Sequence, residues 1–454
     1  MERLKYNQII KYKVEAQCNS TLHIGSATGG KEEVLTHPVD GKPFIQATSI
    51  CGAFRSHFIK KYGAYKTNRL FGGNDSDDNE FSSKVKITDG IFKTDTLKME
   101  IRPHVKIDEK TGTVANASKL SSGQKFDMEY ISAGTQFNFE IYLYIDKEND
   151  DNIVLEFETL FSDMNDENIV IGAKKSTGSG KSRLISLKKK MFDMTKQEDR
   201  ELWEEEDVLE NNQYEDYLSN IKKSNNTGLA YRIYLEGETE GALQIRGLAM
   251  DVFGEDAPDS ENIKNANGEY IIPGSSIRGV LHAQMKKIEK YINKSGLVDK
   301  AFGYGGERAA EGKKGNLICN DTVIDCEKQM DVIRNRIHID KFTGGVIHGH
   351  KFREKNVAGK VRFEFEIQDD GNADKTAALL LFALRDMAIG IINVGNGYAT
   401  GKGFISNSKI IIESMGEAGM ISKADIMYKD NENIEVSDNE NVLAKVMNSL
   451  KEVG

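Results

Sequence analysis

Tyr270-Ile-Ile-Pro-Gly-Ser-Ser-Ile-Arg-Gly-Val-Leu-His282 is the stretch that decides the architecture. It reads as an apolar extended end, a Pro-Gly turn and the start of a helix. Ser275 or Ser276 is placed to cap that helix, and Ile277, Val280, Leu281, Met285 and Ile288 keep helical spacing. The stretch has a counterpart in Pro43-Phe-Ile-Gln-Ala-Thr-Ser-Ile-Cys-Gly-Ala-Phe-Arg55, with Ser49 opposite Ser276 and Gly52 opposite Gly279. Three more blocks recur in the same order. Val105-Lys-Ile-Asp-Glu-Lys-Thr-Gly-Thr-Val114 matches Ile337-His-Ile-Asp-Lys-Phe-Thr-Gly-Gly-Val346. Glu129, Gly134 and Phe139-Glu-Ile141 match Glu354, Gly359 and Phe365-Glu-Ile367, and Thr177-Gly-Ser-Gly180 matches Thr400-Gly-Lys-Gly403. The offsets stay between 223 (400 less 177) and 232 (340 less 108). Four blocks in register identify a duplicated domain.

One copy can be read from its better half. Leu229 to Ile245 predicts a strand, and a polar loop rich in Gly, Asp and Asn follows from Arg246 to Glu269. The helix at Ser275 comes next, then alternating segments at Arg336 to Ile339 and Val361 to Ile367. Ala377 to Ile391 is a strongly apolar second helix, and the glycine-rich loop 395–403 leads into a strand over Ser406 to Glu413. The order is β-α-β-β-α-β, a ferredoxin-like split βαβ with long loop insertions, of α+β class. The first copy repeats it through Tyr12–Ile24, Ser49–Tyr62, Val105–Ile107, Phe137–Ile145, Ile153–Phe161 and Leu184–Lys188. Expected domains are 1–193, an acidic connector at 194–226, 227–415, and a polar tail at 416–454 with a short helix over Asn441 to Lys451.

Composition bounds the function. The 454 residues are 39% hydrophobic and 29% charged, with a mean hydropathy of −0.50, so packed cores lie under a solvated surface. No apolar run is long enough to span a membrane, and the N-terminus has no secretory-signal pattern, which predicts a cytoplasmic protein. Cys18, Cys51, Cys319 and Cys326 form no CxxC pair, as expected of reduced thiols; Cys319 and Cys326 leave a metal half-site as the alternative. The net charge of −10 argues against nucleic acid until it is located. Ten acids between Lys196 and Tyr217 face only Lys196 and Arg200, and a solvated connector helix is the plain reading of that segment. Lys174 to Lys190 by contrast holds seven basic residues and no acid.

The repeated motifs resemble the RAMP superfamily of CRISPR-associated proteins, and within it the backbone subunits of type III effectors. The second copy's Tyr270 to His282 matches the family's P-Y-I-P-G-S-S pattern; the first copy departs at Gln46-Ala47-Thr48 but keeps Ser49, Gly52 and Arg55. The resemblance covers 12–190 and 229–413 and implies two tandem RAMP domains, RRM-like in fold. Fusion of two such units in one chain is similar to the architecture of subtype III-D. Implied partners are the guide (crRNA), a target RNA, neighbouring RAMP subunits and a large polymerase-like subunit, with no membrane.

Physical chemistry says how such a chain would hold RNA. Free N–H groups at the helix starts near Ser49 and at Ser275 and Ser276 suit a phosphate. Gly178, Gly180, Gly401 and Gly403 would let an RNA backbone approach. Arg278, His282 and Lys286 follow i, i+4, i+8 spacing as a basic stripe, and Lys402 lies in the second glycine loop. Arg55, Lys174, Lys175 and Lys181 are the first copy's equivalents, beside Arg183. Such contacts position RNA without reading its sequence.

The resemblance also implies cleavage of bound target RNA by an Asp between the first strand and first helix, with Mg²⁺ or another divalent cation. Phe253-Gly-Glu-Asp-Ala-Pro258 makes Asp256 the catalytic and metal-binding candidate, with Asp259 in reserve and Asp251 nearby; Glu32, Glu33 and Asp40 in the first copy show no clear counterpart. A non-catalytic RNA-binding scaffold is the alternative, and a guide-processing RAMP endoribonuclease a further one. Ser176-Thr-Gly-Ser-Gly-Lys-Ser182 imitates a P-loop, but Lys175 stands where its first glycine belongs and a strand follows, which excludes an NTPase.

Overall fold

The computed structural model describes residues 6–25, 32–74, 80–105, 125–206, 210–221, 228–247, 258–305, 312–326, 332–416, 420–428 and 433–451. The chain divides into two compact units. One comprises Met1–Glu100, Glu129–Lys175 and Ser179–Thr227; the other comprises Ile101–Met128, Ser176–Gly178 and Gly228–Gly454.

In the first unit, β1 (Gln8–Cys18) alternates Ile10, Tyr12, Val14, Ala16 and Cys18 toward the core. Helix α1 (Ala47–Phe71) follows, broken at Gly63 where φ is +82°. Two short strands, β2 (Val85–Ile87) and β3 (Gly90–Phe92), lead to a hairpin of β4 (Met99–Val105) and β5 (Lys125–Ile131), of which Ile101–Met128 belongs to the second compact unit. The core resumes with β6 (Gln136–Ile145), α2 (Lys147–Asn165) and β7 (Ser182–Asp193). β1 lies between β7 and β6, and β2 and β3 pair with β6, all antiparallel. That order, fourth strand, first, third, second, is the ferredoxin-like arrangement. Phe54, Phe58, Phe157 and Phe161 pack from the two helices onto Tyr12, Phe137 and Phe139 of one sheet face.

Beyond β7 the chain forms α3 (Gln197–Glu204) and the two-residue β8 (Glu215–Asp216), which pairs with Lys188 and Lys189 of β7. The acidic connector is therefore not a helix standing in solvent. Trp203 and Tyr214 dock it on the sheet face opposite the helices.

The second unit repeats the plan with β9 (Leu229–Glu240), α4 (Gly274–Tyr291), α5 (Leu297–Phe302), β10 (Leu317–Cys319) and β11 (Thr322–Asp325). A second hairpin, β12 (Val332–Ile339) and β13 (Val346–Asn356), precedes β14 (Lys360–Gln368), α6 (Ala373–Ala388) and β15 (Phe404–Met415). β9 lies between β15 and β14, and β10 and β11 pair with β14. The core is mostly aliphatic, filled by Leu379, Leu380 and Leu384 of α6 against Ile233, Leu235 and Phe365. Among the described residues no helix is long and apolar enough to cross a membrane.

Two sequence expectations are corrected. The second core strand of each unit is β2–β3 or β10–β11, not the segments at Val105 and at Arg336 to Ile339. The latter alternate because they form hairpins: Ile333, Ile337 and Ile339 are about half exposed, so their pattern reports a ladder and not a buried face. Residues 106–124 lie outside the described residues. The C-terminal segment holds the expected helix, α7 (Val442–Asn448), and also two strands, β16 (Ile421–Tyr428) and β17 (Ile434–Ser437), which extend the sheet from β15.

Each glycine-rich loop is closed by the same backbone clasp. In the first unit Ile171 N–H donates to Gly180 O and Gly180 N–H to Thr21 O; in the second Val394 N–H donates to Gly403 O and Gly403 N–H to Ala242 O. A Cβ on Gly180 would stand 2.0 Å from Ile171 O, and one on Gly403 1.9 Å from Val394 O, with φ at +94° and +76°. Gly180→Ala or Gly403→Ala is therefore expected to lower stability in chemical denaturation by more than about 2 kcal/mol. Gly401→Ala, whose Cβ meets nothing within 4 Å, should cost only about 1 kcal/mol, for its left-handed backbone.

Candidate nucleic-acid interface

The helix starts come first. In the second unit Pro273 is the N-cap, with extended backbone at ψ 140°, so Ser275 and Ser276 sit half-buried in the first turn and neither caps it. Ser276 N–H donates to Pro273 O, and the capping carboxylate arrives from elsewhere: Gly274 N–H donates to Asp321 Oδ1 at 2.8 Å. In the first unit Ser49 N–H donates to Gln46 O, and Ala47 N–H donates to Asp89 Oδ1 at 2.7 Å. Asp89 and Asp321 both lie in the turn between the two short second strands. Each helix start thus already holds an anion of its own, which satisfies part of the donor set that sequence had offered to a phosphate. Asp321 Oδ2 also accepts from Arg102, which belongs to the same compact unit and is 6% exposed.

The expected arginines turn inward. Arg55 donates to Phe71 O, Gly72 O and Asn68 Oδ1. Arg278 donates to Phe302 O and Leu317 O, with its guanidinium over the Phe302 ring. Both clamp an Asn- or Phe-lined turn ending in the same dipeptide, Phe71-Gly72 or Phe302-Gly303, at which the glycine has positive φ. His282 packs edge-on against Phe302, with Lys286 exposed a turn later. The stripe at Arg278, His282 and Lys286 therefore has a half-buried end that the fold itself uses.

Lys402 is buried too, at 3%. Its ammonium meets the Glu354 carboxylate at 2.5 Å and Asn356 Oδ1 at 3.3 Å, and Glu354 also takes Arg336 at 3.1 Å. Burial would raise the Glu354 carboxyl, but Lys402 and Arg336 outweigh it and hold it below the usual range. Lys402 joins the glycine loop to the root of the β12–β13 hairpin. Lys181 is likewise buried, and Gly180 and Gly403 serve the clasp. Gly178 is buried, and a Cβ there would stand 2.4 Å from Asn320 Oδ1; only Gly401 stays open.

Lys174 and Lys175 are different. They lie in the loop before the first clasp, Lys174 exposed with φ +58°, Lys175 half-buried. Burial, and then Lys60 of α1, press the Lys175 ammonium below its usual pKa. Two cations brought together by α1 and the loop make a place where an anion lowers the energy. Sequence singled out Lys175 but not Lys60, because only the fold brings a helix residue to a loop more than a hundred positions away.

The carboxylate candidates divide. Asp251 and Asp256 lie outside the described residues, while Asp259 is exposed and accepts from Arg353 N–H at 2.6 Å. Among the described residues no three His, Cys, Asp or Glu side chains converge as metal ligands. Cys319 is wholly buried, its thiol pushed up to about 12 by burial, as in a protonated core thiol and unlike a metal-binding thiolate.

Residues 15–183 and 239–406 each match the RAMP superfamily. The chain belongs to that superfamily. It carries two RAMP domains in tandem, each with the strand order and clasp described above. The chain is also 24% identical over 193 residues to "CRISPR system Cms endoribonuclease Csm3" of Methanocaldococcus jannaschii, a match covering 37% of this chain and 75% of the relative. Residues that sequence reading missed recur in both domains: Asp89 and Asp321, and the Phe-Gly turns at 71–72 and 302–303. The signal was there, at offsets of 232 (321 less 89) and 231 (302 less 71), close to those of the other blocks.

Lys402→Met leaves Glu354 buried beside a single remaining cation, so it should destabilise by about 3–5 kcal/mol in denaturant unfolding. Replacing Glu354 by Leu in the same chain should recover part of that loss.

Proposed function

We propose that this RAMP protein is a guide RNA-binding backbone subunit of a type III CRISPR effector complex. The duplication of the RAMP domain carries the reading: two copies in one chain offer two RNA-binding seats. The name of its relative, a CRISPR system protein, supports it. Guide, target RNA, neighbouring RAMP subunits and a large polymerase-like subunit are the partners this role requires. Lys60 and Lys175, with Lys174 beside them, contact backbone phosphate in the first domain, and Gly401 and the exposed Lys286 are the candidates in the second. Replacing Lys60 and Lys175 together by Ala should weaken guide binding about equally for unrelated sequences. The slope of log K against log salt should become shallower by about 1 for each phosphate left without its lysine.

Cleavage of the target belongs to the same proposal. Asp256 is its residue and a divalent cation such as Mg²⁺ its cofactor, on the strength of the motif Phe253 to Pro258. A second reading, a scaffold that does not cut, is favoured by Asp259, whose carboxylate is engaged by a backbone N–H. The two are separated by incubating a labelled, guide-complementary RNA with the purified effector, with Mg²⁺ or with EDTA. For a nuclease, Asp256→Ala should abolish a Mg²⁺-dependent cut and leave RNA binding intact. Unchanged cuts would assign this subunit the scaffold role.

A further inference from the structure

The sheet face of the first unit that points away from its helices is rich in lysine, with Glu140 of β6 opposite Lys13 and 3.1 Å from the Lys11 ammonium. In the β1–β7 register Lys11 stands directly opposite Lys190, and Lys13 opposite Lys188. Side by side on a sheet, such pairs repel. Aromatic rings lie among them: Lys11 and Lys86 sit over the Tyr142 ring at 5.1 and 4.9 Å, and Lys190 sits 5.7 Å from Phe192. Cations interleaved with flat rings are the chemistry that holds single-stranded nucleic acid, phosphate on the one and base on the other.

The duplicate domain supplies the comparison. On the corresponding face of the second unit Arg232 stands opposite Glu366 and Glu413, and Glu236 opposite Arg362 and Lys409. That face neutralises itself, with ion pairs at 3.3 Å for Arg362–Glu236 and 3.4 Å for Arg232–Glu364. The basic character belongs to the first unit alone.

What covers the basic face is the acidic connector. Trp203 packs edge-on against Tyr142 at 5.8 Å and Phe192 at 5.2 Å. Glu206 pairs with Lys11, whose side chain is 2% exposed, and accepts from Tyr142 Oη. Burial alone would drive the Lys11 ammonium toward neutrality; Glu206, Tyr142 and Glu140 outweigh it and hold it charged. Tyr214 lies over Lys13 at 4.3 Å. The connector thus offers a carboxylate, Glu206, to Lys11, a carbonyl, Gln213 O, to Lys190, and rings to Lys13, Tyr142 and Phe192, and oxygen acceptors with flat rings are what a nucleic-acid strand would offer. Its hold is uneven: α3 is eight residues long with none buried and β8 pairs through two residues, whereas Tyr214 is buried and Tyr217 Oη donates to Glu158 at 2.7 Å.

We propose that the connector is a strap over a second, latent site for single-stranded nucleic acid on the sheet face of the first unit, and that a strand enters by displacing it. The site is separate from the guide-holding surface at Lys60 and Lys175. Its occupant is recognised by backbone charge and base stacking and not by sequence.

Trp203 is the only tryptophan in the chain, so the wild-type protein reports on its own strap. Titration with a short oligouridine at low salt should move Trp203 emission to longer wavelength in step with binding, as the ring leaves Tyr142 and Phe192. Binding with emission unmoved overturns the proposal. In a second arm, Trp203→Ala with Glu206→Gln should bind the oligouridine about tenfold more tightly, because the site no longer has to be uncovered. Adding Lys13→Ala and Lys190→Ala should abolish that gain. No gain in a cooperatively melting strap variant, or a gain that survives the lysine replacements, overturns the idea; if the strap variant does not fold, the emission arm decides. A wild type that binds guide RNA yet shows neither effect keeps its guide-holding role and loses the strap, whereas a chain that binds no RNA loses both.

Discussion

Both domains depend on one backbone clasp. The end of the first strand, the segment after the second helix and the glycine loop before the last strand are joined by N–H to O=C bonds at Thr21, Ile171 and Gly180, and again at Ala242, Val394 and Gly403. The approach is so close that only a residue without Cβ fits, and it fixes where the last strand enters beside the first. Once that strand is seated, the order of the sheet and the face on which the two helices pack follow. The glycines that sequence reading offered to RNA are in large part used by the protein on itself.

The same economy governs the charges. Arg55 and Arg278 close the Phe-Gly turns, Asp89 and Asp321 cap the first helices, and Lys402 with Glu354 ties a loop to a hairpin root. Each is a charge moved out of water and matched by a hydrogen-bonded partner, as burial requires. A charge so placed has little left for a ligand. Lys175 differs: its charge is opposed by burial and by Lys60 of α1, so an anion placed there lowers the energy. The exposed β12–β13 hairpin, bearing Arg334, Phe342 and Phe352, rises from this satisfied base.

The two domains have diverged on the sheet face turned away from the helices. In the second, alternating signs along β9, β14 and β15 settle the electrostatics within the sheet. In the first, lysine faces lysine across β1 and β7, and Glu140 of β6 is joined in compensating them by Glu206 from a segment appended after β7. The net charge of −10 is therefore misleading as a whole-chain figure, since ten acids lie in the connector between Lys196 and Tyr217 while the sheet face beside it is rich in lysine.

The amino-acid sequence by itself determined the duplication, the α+β order of each copy and the superfamily, because glycine turns, helix starts and apolar periodicity are local signals that recur at constant offset. It did not separate core strands from hairpin strands: Arg336 to Ile339 alternates as regularly as a buried strand does, and burial is a property of the neighbours. Nor did it distinguish a lysine that pairs within the fold from one that faces solvent. Lys402 and Lys175 occupy matching glycine loops, yet Glu354 lies beside one and Lys60 beside the other. Those partners stand 48 residues away in one case and 115 (175 less 60) in the other. Only the tertiary structure brings them together, and with them the sign of the field at each site.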